Sequence, residues 1–197
     1  MVDTENRRRA AALAGHTGDA AGARALLQDP NPGVRATALG ALGRLGEARE
    51  DDVRAALSDP SPEVRRRACQ VGIGVAGVDL VDMLADEDAG VVEMAAWALG
   101  ERAGAAGDVV VRLSAVAADH DDPLCREAAV AALGAIGDER GVPAILAATR
   151  DRPAIRRRAV IALAPFSGPD VDGALAAALE DRDWQVRQAA EELRTDD

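Results

Sequence analysis

The side chains best suited to nucleophilic or metal chemistry are few and far apart in this sequence. Cys69 and Cys125 are the two cysteines, and His16 and His120 are the two histidines. Cys125 replaces an aliphatic residue of an internal repeat, a position where a free thiol behaves as a small buried hydrophobe. The histidines fall in turns of distant repeats, and the sequence has no glycine-rich phosphate-binding motif. We therefore predict no catalytic residue, no metal site, no cofactor and no enzymatic activity.

Three runs of consecutive arginines could contact the phosphates of a nucleic acid. They lie at residues 7–9, 65–67 and 156–158. Against this function, neighbouring residues of a helix point about 100° apart, and repeats between the runs carry Glu93 and Glu127 at equivalent positions. The net charge of −11 also repels a polyanion. Nucleic-acid binding through these arginine patches is therefore a third hypothesis, ranked below protein binding.

The composition is that of an acidic, folded, lysine-free protein. The 197 residues include 34 acids and 23 bases, and every base is an arginine. With 48% apolar residues the chain is too hydrophobic for a disordered acidic tail. We find neither an apolar run long enough to span a membrane nor a signal peptide, and we expect a cytoplasmic protein. Lysine depletion with an excess of aspartate resembles proteins of halophiles such as haloarchaea, although a GC-rich genome would also favour arginine over lysine.

The sequence contains an internal repeat of about 30 residues, and the cysteines, histidines and arginine runs occupy positions within it. Its clearest copies are residues 29–35 and 59–65, and alignment on their valine gives seven anchor positions: Asn6, Val34, Val64, Val91, Cys125, Ile155 and Val186. Most anchors follow a helix N-cap residue and a proline suited to the first helical position, so each begins a helix, here called an A helix. Alanine lies four residues after every anchor, which indicates close approach of a neighbouring helix. Four glycines nine residues after their anchors are predicted to end their helices: Gly15, Gly43, Gly100 and Gly134.

A second helical segment, called a B helix, follows each A helix except the last. In one repeat Val53, Ala56 and Leu57 show the spacing of a helix with one apolar face. A single helix pair cannot bury that face, so successive pairs must stack. We predict one repeat domain over residues 1–197, with repeats starting near 3, 31, 61, 88, 122 and 152 and a C-terminal capping helix from 183. Four acids are expected to make the capping helix polar on one side: Glu191, Glu192, Asp196 and Asp197.

The element D-P-x-P-x-V-R-x-x-A-x-x-A-L-G at residues 29–43 resembles HEAT-like repeats, in particular the short type named after phycobilisome lyases. The resemblance covers essentially the whole chain. It implies an all-α protein, a right-handed α–α superhelix or HEAT-like solenoid of about six and a half helix-turn-helix repeats, with A helices on the convex side and B helices on the concave side. In deoxyhypusine hydroxylase, a related family, His-Glu pairs bind iron, but here His16 precedes Thr17 and His120 precedes Asp121.

The resemblance also implies a ladder between repeats, in which the arginine after the anchor pairs with a turn aspartate. An aspartate lies five or six residues before most of these arginines, and Val92 departs from the arginine column. A bidentate arginine–carboxylate pair suits such a ladder, so we expect a structural role for it. The expected ladder residues are Asp29, Arg35, Asp59, Arg65, Arg126, Arg156, Asp181 and Arg187.

The leading functional hypothesis is a non-enzymatic scaffold or adaptor for protein–protein interaction. The acid excess lies in the B segments and turns, so the partner is expected to carry a basic or amphipathic segment that binds the acidic concave side. Candidate partner-binding residues are Asp52, Asp79, Asp82, Asp108, Asp170, Asp172 and Trp97. The resemblance supplies an alternative, a bilin lyase-like or chaperone-like accessory subunit. Neither the partner nor the oligomeric state follows from the sequence.

Overall fold

The computed structural model describes residues 2–102 and 107–195, which form α-helices and short 3-10 helices. The chain divides into two compact units, Met1–Ala98 and Leu99–Asp197. That residues 1–197 form one domain stays a prediction. Within the described ranges, every helix is too short or too polar to cross a membrane.

The first unit alternates A and B helices. Its A helices are α1 (Val2–Thr17), α3 (Pro32–Leu45), α5 (Pro62–Gly72) and α6 (Ala89–Gly100). Its B elements are α2 (Ala20–Ala25), continued by the 3-10 helix Leu26–Gln28, then α4 (Glu50–Leu57), and finally the 3-10 helix Val81–Ala85. Successive A helices pack on one another, α1 against α3 and α3 against α5, while α4 packs against α5. This is the helix-pair stacking that the repeat predicts.

The second unit has the same construction. Its A helices are α8 (Pro123–Ile136), α10 (Pro153–Ala162) and α12 (Trp184–Thr195). Its B helices are α7 (Gly107–Asp119), α9 (Val142–Ala148), which follows the 3-10 helix Glu139–Gly141, and α11 (Pro169–Leu179). Helix α10 packs between α8 and α12. Asp196 and Asp197, expected at the end of the capping helix, lie outside the described residues.

Local sequence fixes where the A helices begin and end. The side chain of Asn31 accepts a hydrogen bond from the backbone N–H of Val34, and Pro32 occupies the first turn of α3. At the other end, Gly46 adopts a left-handed conformation with φ of 70°, which glycine tolerates because it has no Cβ. Helix α8 ends in the same way at Gly137, where φ is 69°.

The prediction that these glycines end their helices is confirmed for Gly100, the last residue of α6, and wrong for Gly15, Gly43 and Gly134. Helices α1, α3 and α8 each continue two residues past that glycine before they reach a glycine with positive φ. A Cβ on Gly134 would lie 2.7 Å from the Cα of Ala162 in α10, and one on Gly43 would lie 2.9 Å from a methyl group of Val71. Gly43 and Gly134 therefore permit close packing of successive A helices. In the sequence, a glycine needed for such packing looks the same as a glycine that caps a helix.

The alanine that recurs in each A helix lies on the packed face of that helix in most repeats. The alanine four residues after the anchor is buried in every A helix except α1, where Ala10 is exposed. Large aliphatic residues such as Leu39 and Val64 in the first unit and Leu133 and Ile155 in the second fill the space between helices. The helix turns that join B to A therefore lie at a defined edge of each stack, and that edge carries the charged pairs described next.

Candidate functional site

Arginine–aspartate pairs join successive repeats in the first unit. The Nε and Nη2 atoms of Arg35 lie 2.8 and 2.7 Å from the two carboxylate oxygens of Asp59. Its Nη1 donates to the backbone carbonyl of Asp29 at 2.8 Å. Arg65 repeats the arrangement, with the Asp86 carboxylate at 2.7 and 2.8 Å and the Asp59 carbonyl at 2.9 Å. Each arginine thus binds its own turn through the backbone and the following repeat through a carboxylate.

The ladder aspartates also shape the turns that contain them. One carboxylate oxygen of Asp86 accepts a hydrogen bond from the backbone N–H of Asp88 at 2.9 Å. Asp29 does the same with Asn31 at 2.9 Å, and its other oxygen accepts from Nε of Arg7 at 2.6 Å. The carboxylate six residues before an arginine therefore pairs with the arginine of the preceding repeat. Arg7, which belongs to the expected arginine column, forms one of these pairs with Asp29, whereas Asp86 was not among the residues expected for the ladder.

The second unit contains two further pairs of this kind. Nε and Nη2 of Arg126 lie 2.8 and 3.1 Å from the carboxylate of Asp151, and those of Arg156 lie 2.9 and 2.8 Å from Asp181. Arg187 donates to the backbone carbonyl of Asp181 at 2.7 Å. Within the described ranges Arg187 forms no ion pair, so it keeps only the backbone contact of a ladder arginine.

One turn of the second unit uses histidine where the others use aspartate. Nδ1 of His120 accepts a hydrogen bond from the backbone N–H of Asp122 at 3.0 Å, and its carbonyl accepts from Nη1 of Arg126 at 2.8 Å. His120 therefore reproduces the local geometry of a ladder aspartate without its charge. In the sequence, this exchange accompanies the replacement of the arginine after the anchor by Val92 in the preceding repeat.

The ion pairs keep the ladder carboxylates charged. The hydrogen bond from Arg65 lowers the pKa of Asp86 below its usual value, against the opposite effect of burial. The hydrogen bond from Arg156 lowers the pKa of Asp181 for the same reason. Each guanidinium already has its carboxylate and carbonyl acceptors, so the pairs suit structural support rather than proton transfer.

The candidate partner-binding acids of the first unit lie in the starts of its B elements. Asp52 is partly buried, lies 3.3 Å from Nε of Arg24 and accepts a hydrogen bond from the backbone N–H of Arg49 at the start of α4. Asp79 is exposed and accepts a backbone hydrogen bond ahead of the 3-10 helix Val81–Ala85. Asp82 is exposed within that 3-10 helix. Asp52 therefore has a structural role, and the other two face solvent.

The candidate acids of the second unit are all exposed. Asp108 lies in the first turn of α7, and Asp170 and Asp172 lie in the first turn of α11. A carboxylate at this end of a helix is stabilised by the helix dipole, which accounts for the residue type without a partner. The remaining candidate, Trp97 on α6, is 43% exposed. No contact brings the acids of either unit into one cluster among the described side chains.

A groove of 630 Å³ opens between successive repeats of the first unit, at the turns before α3 and α5 and along α4. Its charged lining residues are Asp29, Arg35, Asp51, Asp52 and Asp59. Three of the aspartates are in ion pairs, whereas Asp51 is exposed and unpaired among the described residues. We call this the acidic groove. Sequence reasoning missed Asp51, although the Asp51–Asp52 pair at the start of a B helix was a signal for it.

The second unit has an equivalent groove of 430 Å³ with a different charge. It lies between α9, α10, α11 and the start of α12, and its charged lining residues are Arg150, Arg156, Asp170 and Asp181. Two bases balance two acids, and most of the remaining lining is apolar, such as Leu146, Val160 and Ala174. The two grooves therefore share a position in the repeat but differ in net charge.

The cysteines and histidines show no shared site. Cys69 and Cys125 are both buried and unoxidised. His16 is exposed near the end of α1, and His120 serves the turn before α8. Across residues 2–102 and 107–195, no three potential His, Cys, Asp or Glu ligands lie together in a way that could hold a metal ion.

Comparison with known proteins places this geometry in one family. The profile of HEAT repeats matches residues 20–74, 77–164 and 110–194. No curated protein matches the chain in sequence. A designed armadillo repeat protein, solved in complex with the peptide (KR)4, is 18% identical with a TM-score of 0.58, over 86% of this chain and 95% of that one.

Two further solved structures share the fold. Human deoxyhypusine hydroxylase, in complex with glycerol, is 22% identical with a TM-score of 0.51, over 96% of this chain and 78% of that one. An engineered protein from a structural genomics consortium is 19% identical with a TM-score of 0.61, over 90% of this chain and 97% of that one. At these identities the likeness extends to the fold alone. The all-α, HEAT-like solenoid class expected from the sequence is thereby confirmed.

Proposed function

The chain belongs to the HEAT-repeat family, and on that premise we propose that it is a non-enzymatic scaffold that binds a partner protein through its B-helix side. Repeat proteins of this kind commonly mediate protein–protein interaction. The observation that carries the proposal is the acidic groove of the first unit, with its exposed and unpaired Asp51.

The chemistry of the acidic groove favours an arginine or lysine side chain from the partner. Asp51 supplies a carboxylate that no arginine of the described chain neutralises. Leu27, Ala55 and the prolines of the two turns offer apolar surface beside it. The aliphatic stem of a basic side chain could lie on that surface while its charged end reaches Asp51. The designed armadillo neighbour supports this reading, because it was solved with an alternating lysine–arginine peptide.

The remaining candidate acids extend the attraction from outside the acidic groove. Asp79 and Asp82 in the first unit, and Asp108, Asp170 and Asp172 in the second, are exposed carboxylates, and Asp170 also lines the groove of the second unit. Exposed charges of one sign steer an oppositely charged segment toward a binding surface and raise its association rate. We assign the specific contact to the acidic groove, because the equivalent groove of the second unit is balanced in charge.

The experiment is a fluorescence anisotropy titration of a labelled (KR)4 peptide with the full chain, in the lowest salt at which circular dichroism shows it folded. Asp51→Asn should weaken binding about fivefold, which is the upper range for one exposed ion pair. Asp172→Asn removes the same charge outside both grooves and should weaken binding less than twofold. Absence of peptide binding, or equal effects of the two variants, would refute a specific site at Asp51.

A further inference from the structure

A second groove, of 240 Å³, crosses the A helices of the first unit. Arg8 of α1 lies on one side of it and Arg66 and Arg67 of α5 lie on the other, with Ala36 and Thr37 of α3 between them. We call it the arginine groove. Its positive lining contrasts with the acidic groove of the same unit, so it is a separate surface that does not depend on the proposed peptide site.

Small residues in the middle repeat create this groove. Ala36 lies two residues after its anchor, the position that Arg8 and Arg66 occupy in the flanking repeats. The Cδ and Nε atoms of Arg67 lie only 3.3 Å from where a Cβ on Gly40 would be, so this side chain extends across α3. The absence of bulk on α3 therefore lets arginines from both neighbouring helices border one space.

The arginines of the groove retain free hydrogen-bonding capacity. Arg8 and Arg66 are exposed and make no ion pair or hydrogen bond within the described part of the chain. Arg67 donates to the side-chain oxygen of Gln70 at 2.5 Å, and Glu63 is the single carboxylate of the lining. Three guanidiniums thus face one carboxylate, which leaves an excess positive charge of about two at this site.

Several other arginines of the described chain have carboxylate partners. The ladder arginines that reach a following repeat are each paired with a carboxylate. In the second unit, Arg158 of the run at residues 156–158 lies 3.4 Å from Glu127. Arg8 and Arg66 have no such carboxylate partner among the described residues and border the same groove, and such a placement suits a bound anion.

We propose that the arginine groove binds phosphate groups, either of a free polyphosphate anion or of a phosphorylated side chain on another protein. Planar guanidiniums match the oxygen geometry of phosphate and can donate two parallel hydrogen bonds to it. Arg8 and Arg66 both line the groove, so each can donate hydrogen bonds to phosphate oxygens bound there. Arg67 adds charge, and Glu63 limits the affinity by repulsion.

Inorganic pyrophosphate and a phosphoserine peptide, each titrated calorimetrically into the full chain at low salt, test the proposal. Saturable binding of pyrophosphate alone identifies a free anion as the ligand, and tighter binding of the phosphopeptide than of its unphosphorylated form identifies a phosphorylated partner. Arg8→Gln and Arg66→Gln should each weaken binding about fivefold, and Glu63→Gln should strengthen it two- to fivefold.

The control is Arg157→Gln in α10. Arg157 is exposed, unpaired among the described residues and in the same position of its repeat as Arg8 and Arg66, but it lines none of the three grooves described above. Its replacement should change the affinity less than twofold, and thermal melting should show that all variants fold. The proposal is overturned if neither ligand saturates, or if Arg157→Gln weakens binding as much as the groove variants, since a diffuse electrostatic attraction would produce that result.

Discussion

Removal of one carboxylate from the ladder should destabilise the fold measurably, and Asp86→Asn is the sharpest variant. Asp86 receives both Nε and Nη2 of Arg65, and the two side chains are only 6% and 10% exposed. The variant retains an oxygen that can accept from the backbone N–H of Asp88 but loses the charge that pairs with the guanidinium. The perturbation therefore isolates the ion pair from the turn hydrogen bond.

The expected loss of stability depends on how deeply the ion pair between Arg65 and Asp86 is buried. Breaking a fully buried ion pair costs about 3–5 kcal/mol, while exposed pairs contribute about 0–1 kcal/mol. The pair between Arg65 and Asp86 is at the edge of the helix stack, where solvent still screens it in part, and Arg65 keeps its bond to the Asp59 carbonyl. We expect a loss of about 2 kcal/mol, which corresponds to roughly 4–8 °C in the melting temperature for a chain of this size.

The assay is urea unfolding monitored by circular dichroism, with Glu50→Gln as the control. Glu50 pairs with Arg54 on the surface of α4, where the side chains are 41% and 58% exposed, so its replacement should cost less than about 0.5 kcal/mol. The double variant Arg65→Met/Asp86→Asn measures the coupling between the two residues. If Asp86→Asn is no more destabilising than Glu50→Gln, the ladder does not stabilise the stack and the reasoning fails.

Two further predictions concern pH and helix packing. Because the folded-state pKa of Asp86 and Asp181 is lowered, their ion pairs contribute stability that is fully present above the unfolded-state pKa of about 4 and lost as the pH falls through the folded-state value. Urea unfolding at pH 7 and at pH 3 should therefore differ by less in Asp86→Asn than in the unmodified chain, and an unchanged difference would contradict this. Gly134→Ala should destabilise by about 1–3 kcal/mol because the new Cβ would lie 2.7 Å from Ala162, whereas Gly173→Ala, with open space around it on α11, should stabilise by up to about 1 kcal/mol. Thermal melts of both variants check this pair, and equal effects would show that helix propensity alone decides them.

The sequence was sufficient for features that depend on neighbouring residues along the chain. Asn31 and Pro32 predict the start of α3. In the structure, the Asn31 side chain accepts the capping hydrogen bond and Pro32 lies in the first turn, as predicted. The seven anchors place the A helices because each anchor lies one turn after such a start. The B segments were harder to predict, because a B helix was expected after each A helix but the last, and the described segment after α5 contains only the 3-10 helix Val81–Ala85. Its glycine-rich preceding segment and short length leave too few residues for a stable α-helix.

The sequence by itself determined the repeat, the helix starts and the residue types at each position, because these follow from local hydrogen bonding and from the spacing of apolar side chains. The tertiary structure decided which residues meet. A ladder arginine pairs with an aspartate 21 to 25 residues further along the chain, and Arg8 borders the same groove as Arg66. Both arrangements arise when one helix pair stacks on the next, since stacking brings equivalent turns and faces together. The residue pattern within a single repeat does not show which residues of the next repeat it will contact. The charged grooves therefore form only when the repeats stack.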